Sequence, residues 1–213
     1  MISFLSCLQS KPTVLVLDKM ERLLGYAATH DNAELIIRAS DMLLTVFSDA
    51  SFNSRPGSKS VAGGHHYLGR RSDPDFLNAP ILNVCSTIPV VCAAVSEAEY
   101  GGVFGNCQAA VEIRSILHNL GYSQPPTLVL CDNECAIGLA NESVRPKKSK
   151  SIDLRLDWVR DRVRQGQFII DFVPGKANLA DFLQNHCQSG CSNKCLPTLP
   201  PPLLVHEFTC IFF

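Results

Sequence analysis

The chain has no run of apolar residues approaching the roughly 18–20 that a membrane-crossing helix needs, so no membrane partner is expected. Its opening stretch, Met1-Ile2-Ser3-Phe4-Leu5-Ser6-Cys7-Leu8, is short and lacks a basic start, so no secretory signal is expected either. There is no excess of charge: 19 Lys and Arg stand against 20 Asp and Glu, a net charge of −1. Bulk charge therefore gives no indication of a nucleic-acid partner, and any basic surface has to be local. No internal repeat is apparent. Cysteine, by contrast, is plentiful, at 10 residues in 213. Cys85, Cys107, Cys131 and Cys135 fall inside apolar strands or helices, where a thiol behaves as a small hydrophobe. Free thiols in a reducing compartment, cytoplasm or nucleus, are the expected setting. With 46% apolar and 18% charged residues, the composition is that of one globular domain with appendages.

Periodicity organises the chain. Residues 11–30 read as a helix whose apolar stripe includes Val14, Leu17, Leu24 and Tyr26. After the linking segment His30-Asp31-Asn32-Ala33, the globular pattern starts near Asp41. Strand-like runs follow at 42–49, about 60–68 and about 80–86. Asn53-Ser54-Arg55-Pro56-Gly57-Ser58 between the first two is turn-forming, which predicts an antiparallel hairpin. An amphipathic helix at about 96–120 stops at Gly121. Then come a strand at 127–131, a helix at 133–142, and the basic turn Arg145-Pro146-Lys147-Lys148-Ser149-Lys150. A helix at about 151–164, a strand at 167–173 and a helix at 178–186 complete the pattern. Three meandering strands followed by strands alternating with helices predict an α/β fold. Its mixed sheet is antiparallel in the first part and parallel in the second.

Four carboxylates stand out, each where an element ends or begins. Asp49 closes the first strand, Glu99 opens the long helix, Asp132 closes the strand at 127–131, and Asp181 opens the last helix. Taken singly, an Asp in such a place is most often a turn or helix cap, and Asn178-Leu179-Ala180-Asp181 resembles a capping box. Taken together, four acids converging on one point suit two divalent cations about 3.5–4 Å apart, the arrangement of metal-assisted phosphodiester chemistry. Carboxylates fit Mg²⁺ because it takes oxygen ligands in octahedral geometry. Glu97 is the rival of Glu99. Two residues apart on a helix they face about 160° apart, and it is Glu99 that shares a face with Val103 and Cys107.

The residues around these acids resemble copia-type retrotransposon polyproteins. Val95-Ser96-Glu97-Ala98-Glu99-Tyr100 is similar to that family's S-x-E-A-E-Y segment, and Phe47-Ser48-Asp49-Ala50-Ser51 to its Y/F-S-D-A segment. Leu130-Cys131-Asp132-Asn133, continued by Ala136-Ile137-Gly138-Leu139-Ala140, resembles its C-D-N element. Lys150-Ser151-Ile152-Asp153-Leu154-Arg155 resembles the K-H-I-D-x-R helix start, and Pro174 through Asp181 the G-x-x-N-x-A-D motif. These motifs belong to the ribonuclease H domain that follows the reverse transcriptase, and the resemblance covers about residues 12–186. It implies a ribonuclease H-like fold: a five-stranded mixed sheet, three antiparallel strands then two parallel, flanked by helices. It implies a two-metal endonuclease that hydrolyses the RNA strand of RNA/DNA hybrids. Asp49, Glu99, Asp132 and Asp181 would be its catalytic and metal-binding residues, with two Mg²⁺ ions (or Mn²⁺) as cofactor. Residues 1–40 would be a remnant of the reverse transcriptase connection, since Leu23-Leu24-Gly25-Tyr26 looks like its last helix. Residues 41–186 would be the ribonuclease H-like domain. The polymerase, the expected partner, is absent along with any Tyr-x-Asp-Asp motif, so the chain reads as a fragment.

The chain departs from the family at Ser151, where His is frequent, and at Gln184-Asn185, where Thr-Lys is usual. Asp171 stands where some ribonucleases H carry a mobile His, and His186 is a weak substitute. No departure removes a metal ligand. For substrate contact the candidates are Asn133, Lys147, Lys148, Lys150 and Arg155, against the plainer readings of helix cap and solvated turn. Arg160, Arg162 and Arg164 alternate with acids and read as surface pairs. The tail 187–213, with Cys187, Cys191, Cys195 and clustered prolines, is expected to be poorly ordered, and its cysteines lack the paired C-x-x-C spacing of zinc sites. A competing reading is a decayed, non-catalytic transposon fragment that at most binds nucleic acid. An integrase-like nuclease would need the order Asp-Asp-Glu, and the order here is Asp-Glu-Asp-Asp.

Overall fold

A computed structural model of the chain describes residues 5–183, apart from 7, 11–12, 33, 74–75, 144–149 and 182. Its centre is strand β1 (Leu43–Arg55), which pairs antiparallel with β2 (Lys59–Gly69) on one side and parallel with β4 (Thr127–Cys131) on the other. β3 (Pro80–Thr87) and β5 (Phe168–Phe172) form the two edges, giving the order β3-β2-β1-β4-β5. Three antiparallel strands followed by two parallel ones is the sheet that the sequence implied.

The hairpin is longer than its apolar pattern. The expected strand ended at Asp49, but β1 continues through the mostly polar stretch Ser51-Phe52-Asn53-Ser54-Arg55, because pairing extends to Ser51 with Val61 and, past an irregularity, to Arg55 with Lys59. Ladder hydrogen bonds override side-chain polarity there. The turn is confined to residues 56–58.

Helix α1 (Val14–Thr29) is capped by the Thr13 hydroxyl, which accepts from the Val16 N–H, but it buries none of its residues. The remaining helices share one core with one face of the sheet. α2 (Val95–Asn119) contributes Tyr100, Val103, Cys107 and Ala110, α3 (Glu134–Ala140) contributes Ala136 and Ala140, and α4 (Lys150–Arg164) contributes Leu156 and Val159. They meet Leu44, Val46, Val129, Phe168 and Ile170, the alternate residues of three strands. The Tyr100 hydroxyl donates to the Leu156 carbonyl (3.3 Å) and so ties α2 to α4. α2 ends in a Schellman motif: Gly121, at φ 90°, donates to the His118 carbonyl and Tyr122 to that of Leu117.

A smaller cluster of Phe47, Tyr67, Val173 and Ala180 lies on the other face. Cys107 and Cys131 are buried as expected and Cys85 is half-buried, but Cys135 is exposed, because α3 turns its 134–135 edge outward. No helix among the described residues is long and apolar enough to cross a membrane.

Candidate metal centre

Strand register brings two carboxylates level. β1 and β4 run parallel with Phe47 beside Leu130, so two residues further on Asp49 and Asp132 reach the same end of the sheet. Asp132 directly follows β4, whereas Asp49 lies inside the longer β1, opposite Gly63 of β2.

Beyond β5 the chain turns back over this end. A Cβ placed on Gly175 would lie 3.0 Å from Asp132 Oδ2, so the backbone of the 3₁₀ turn Gly175–Ala177 packs against that carboxylate. Asn178 then anchors the turn. Its Nδ2 donates to the Ser48 carbonyl (3.0 Å) and its Oδ1 accepts from the Ala180 N–H (3.1 Å). The expected N-cap role in a helix at 178–186 is not what the described residues show: Asn178 closes the 3₁₀ turn as its C-cap, and its Oδ1 holds the Ala180 N–H. Residues 182 and 184–186 lie outside the described residues. The turn brings Asp181 to the neighbourhood of Asp49.

α2 supplies the fourth acid. It crosses β1 at Gly102, where a Cβ would lie 3.0 Å from the Asp49 carbonyl oxygen and 3.4 Å from the Ala50 Cβ. Glu99, one turn earlier, is buried beside the other three acids. Glu97 instead turns back and accepts from the Ala93 N–H next to the helix N-cap, Ala94. The structure therefore brings Asp49, Glu99, Asp132 and Asp181 together and leaves Glu97 out.

The cluster is electrostatically loaded. Burial, followed by the charges of Asp132 and Asp181, raises the Asp49 carboxyl to about 7. Burial, followed by the charges of Asp49 and Asp132, raises Glu99 to about 9. Asp132 is also raised, again by burial first and then by Asp181. The Ala50 N–H opposes this, donating to Asp49 Oδ1 at 2.8 Å and lowering Glu99 as well, but it is outweighed. Like charges held this close raise one another's pKa, and a bound cation would offset that effect.

The donor set fits hard divalent cations. It consists of carboxylate oxygens, and Glu99 Oε2 is buried without a hydrogen-bond partner among the described residues. Ligand atoms of Glu99, Asp132 and Cys131 lie within 4.8 Å of one another. Burial above all pushes the Cys131 thiol up to about 12, so in the metal-free protein it is a neutral neighbour to the oxygens.

The candidate substrate contacts divide differently. Asn133 is the N-cap of α3, its Oδ1 accepting from the Ala136 N–H (3.0 Å), so the cap reading holds for its oxygen. Arg155 packs on α2, its guanidinium carbon 5.7 Å from the centre of the Phe104 ring. Lys150 opens α4. Lys147, Lys148, His186 and the tail 187–213 lie outside the described residues. Of the three arginines of α4, Arg164 does form a surface pair, with Glu142 (2.6 Å), rather than with an acid of its own helix. Arg160 donates to the Leu139 carbonyl (2.8 Å), and Arg162 lies over the Trp158 ring.

Sequence reasoning missed the buried groups behind the acids. Asn106 of α2 is buried and donates from Nδ2 to Ser48 Oγ (2.9 Å) and to the Gly63 carbonyl (2.9 Å). Its only sequence signal is a polar residue on the face that carries Val103 and Cys107.

No protein-family model matches the chain. The retrovirus-related Pol polyprotein from transposon TNT 1-94 of Nicotiana tabacum is 31% identical over 149 residues, 70% of this chain and 11% of that polyprotein. The retrovirus-related Pol polyprotein from transposon RE1 of Arabidopsis thaliana is 27% identical over 186 residues, 85% of this chain and 12% of that polyprotein. Among solved structures, the N-terminal RNase H domain of a Mycobacterium tuberculosis protein aligns with a TM-score of 0.47 at 19% identity, over 68% of this chain and 93% of that one. The chain spans 11–12% of the length of the two polyproteins. It is a relative of the retrovirus-related Pol polyproteins of plant transposons.

Proposed function

We propose that this chain is a divalent-metal-dependent endonuclease of ribonuclease H type, cutting the RNA strand of RNA/DNA hybrids within a retrotransposon polyprotein. The observation that carries this reading is the convergence of four carboxylates from four separate segments, two of them with pKa values raised to about 7 and about 9. Such a cluster stabilises nothing by itself; it becomes favourable when cations neutralise it. Asp49, Glu99, Asp132 and Asp181 would hold two Mg²⁺ ions, with Mn²⁺ as a substitute. Bound there, the ions supply charge stabilisation for an in-line displacement at phosphorus and a lowered pKa for the attacking water.

The chain's own residues bind and orient. Asp49 and Glu99 give up their protons when the site is loaded. The Ala50 N–H keeps the Asp49 carboxylate aimed, and the Gly175 backbone confines Asp132. Asn133 is a substrate contact through its amide Nδ2, because its oxygen is committed to the helix. A 2′-hydroxyl in the minor groove is the acceptor that distinguishes the RNA strand. Lys147, Lys148, Lys150 and Arg155 serve the phosphates, with Arg155 held by its packing on Phe104. Residues 41–186 form the nuclease domain and residues 1–40 belong to the connection with the reverse transcriptase, its partner in the polyprotein.

The test is cleavage of end-labelled RNA/DNA hybrid, double-stranded RNA and double-stranded DNA by the full chain in Mg²⁺, with Asp132→Asn as control. Cleavage of the hybrid's RNA strand alone is the expected result. No cleavage above the control leaves a transposon fragment that at most binds nucleic acid.

A further inference from the structure

Asn106 is an unusual residue for its place. It lies on the core face of α2, 1% exposed, and its Oδ1 is buried without a hydrogen-bond partner among the described residues. A leucine of similar size would fill the position without bringing an unpaired polar atom of its own. The amide is justified by what its nitrogen holds: Ser48 Oγ and the Gly63 carbonyl, each at 2.9 Å. Ser48 immediately precedes Asp49, and Gly63 is the residue paired with Asp49 across the hairpin. One amide therefore grips both strands at the level of one acid, from the helix that carries Glu99.

The neighbouring residues accommodate this grip. A Cβ on Gly64 would lie 1.8 Å from Asn106 Oδ1, so only glycine at position 64 leaves room for the side chain. The Asn106 carbonyl lies 3.4 Å from His66 Nε2, a second link between α2 and β2. On its other side Ser48 is held through its carbonyl by Asn178, the anchor of the Asp181 turn. Ser48 is thus the point where α2, the hairpin and the Asp181 turn are fastened together.

We infer that Asn106 is a positioning residue: acting through Ser48, it fixes Asp49 relative to Glu99 and so sets the geometry with which the acids take divalent cations. This rests on the metal-site reading above but has a readout independent of cleavage. Mn²⁺ affinity of the full chain is measured by the electron spin resonance of free Mn²⁺, for wild type, Asn106→Leu, Ser48→Ala and the double variant. The expected result is an approximately tenfold weaker Mn²⁺ affinity in each single variant, as for other residues that orient ligands, with the double variant no weaker than either. In the cleavage assay, kcat falls similarly while KM for the hybrid is unchanged.

Wild-type Mn²⁺ affinity in folded Asn106→Leu or in Ser48→Ala overturns the inference, as do additive effects in the double variant. If Asn106→Leu does not fold, Ser48→Ala, which removes a single hydroxyl, carries the test alone. A wild-type chain that binds Mn²⁺ but cleaves nothing overturns the nuclease reading and leaves the positioning role to be decided by the affinities. A wild-type chain that binds no Mn²⁺ overturns both.

Discussion

Asn178 donates its side-chain amide to the main-chain carbonyl of Ser48 at 3.0 Å, joining residues 130 positions apart in the chain. The same side chain caps the turn that carries Asp181, through the Ala180 N–H. Asn178→Ala removes both bonds and leaves the buried Ser48 carbonyl short of a donor, at a cost of about 2 kcal/mol. Urea denaturation should show that loss, and cleavage of a labelled hybrid should fall roughly tenfold because Asp181 is no longer held. Wild-type cleavage in the variant would mean that Asp181 finds its place without this anchor.

The raised pKa values of Asp49 and Glu99 give a pH dependence whose sign is fixed. Their ordinary values are 3.8 and 4.5, and folding raises them to about 7 and about 9. The folded chain therefore holds protons that the unfolded chain has released. The two groups favour folding least at high pH, and metal-free stability declines as pH rises from about 4 to about 9. The Tm of the EDTA-treated chain should fall between about pH 6 and about pH 8.5, and added Mg²⁺ should raise Tm more at the higher pH. A Tm that rises over this interval without metal would show that the acids are not coupled in this way.

From the same source, Glu99→Gln should stabilise the metal-free protein while it abolishes cleavage. Gln keeps the shape of the side chain and has no charge to bury. At about pH 8 the gain is on the order of 1–3 kcal/mol, and it shrinks as pH falls toward the ordinary Glu value. Differential scanning calorimetry in EDTA at two pH values measures it. Destabilisation at both would contradict the burial of an uncompensated acid at this position.

Gly102 and Gly105 lie one turn apart on α2 and should respond to alanine in opposite ways. At Gly102 a Cβ meets the Asp49 carbonyl at 3.0 Å, and that carbonyl belongs to a central strand that cannot yield freely. Gly102→Ala should cost roughly 1–3 kcal/mol and reduce cleavage by lifting α2 from β1. At Gly105 a Cβ meets nothing within 4 Å, so Gly105→Ala should gain about 0.5–1 kcal/mol from helix propensity with cleavage retained. Chemical denaturation of both variants decides this, and a stabilised Gly102→Ala would show that the helix crossing is looser than the structure has it.

Much of this was legible in the sequence where the signal is periodic or local. Asp132 follows an apolar run that forms a strand, and helical register favours Glu99 over Glu97 in support of the motif resemblance. The turn-forming character of Asn178 was visible in Asn178-Leu179-Ala180-Asp181, but its place as C-cap of the preceding 3₁₀ turn was not. The length of β1 was not, because Ser51, Asn53, Ser54 and Arg55 are polar and the stretch is kept in the strand by the pairing of Ser51 with Val61 and of Arg55 with Lys59. The apolar stripe of α1 marks a helix, yet that helix buries none of its residues. Ser48 and Gly64 carry no local signal either, since each matters for a contact between segments remote in sequence. An asparagine on the core face of a helix is the one hint such a contact leaves in the sequence.

A hydrolytic site built on four carboxylates makes one demand of single-residue variants. Mg²⁺-dependent cleavage of a labelled RNA/DNA hybrid should be measured for the full chain and for Asp49→Asn, Glu97→Gln, Glu99→Gln, Asp132→Asn and Asp181→Asn. Loss of cleavage in the four variants of the buried cluster, with Glu97→Gln retaining activity, is the expected pattern. Retention of wild-type cleavage in Glu99→Gln, or its loss in Glu97→Gln alone, would contradict it.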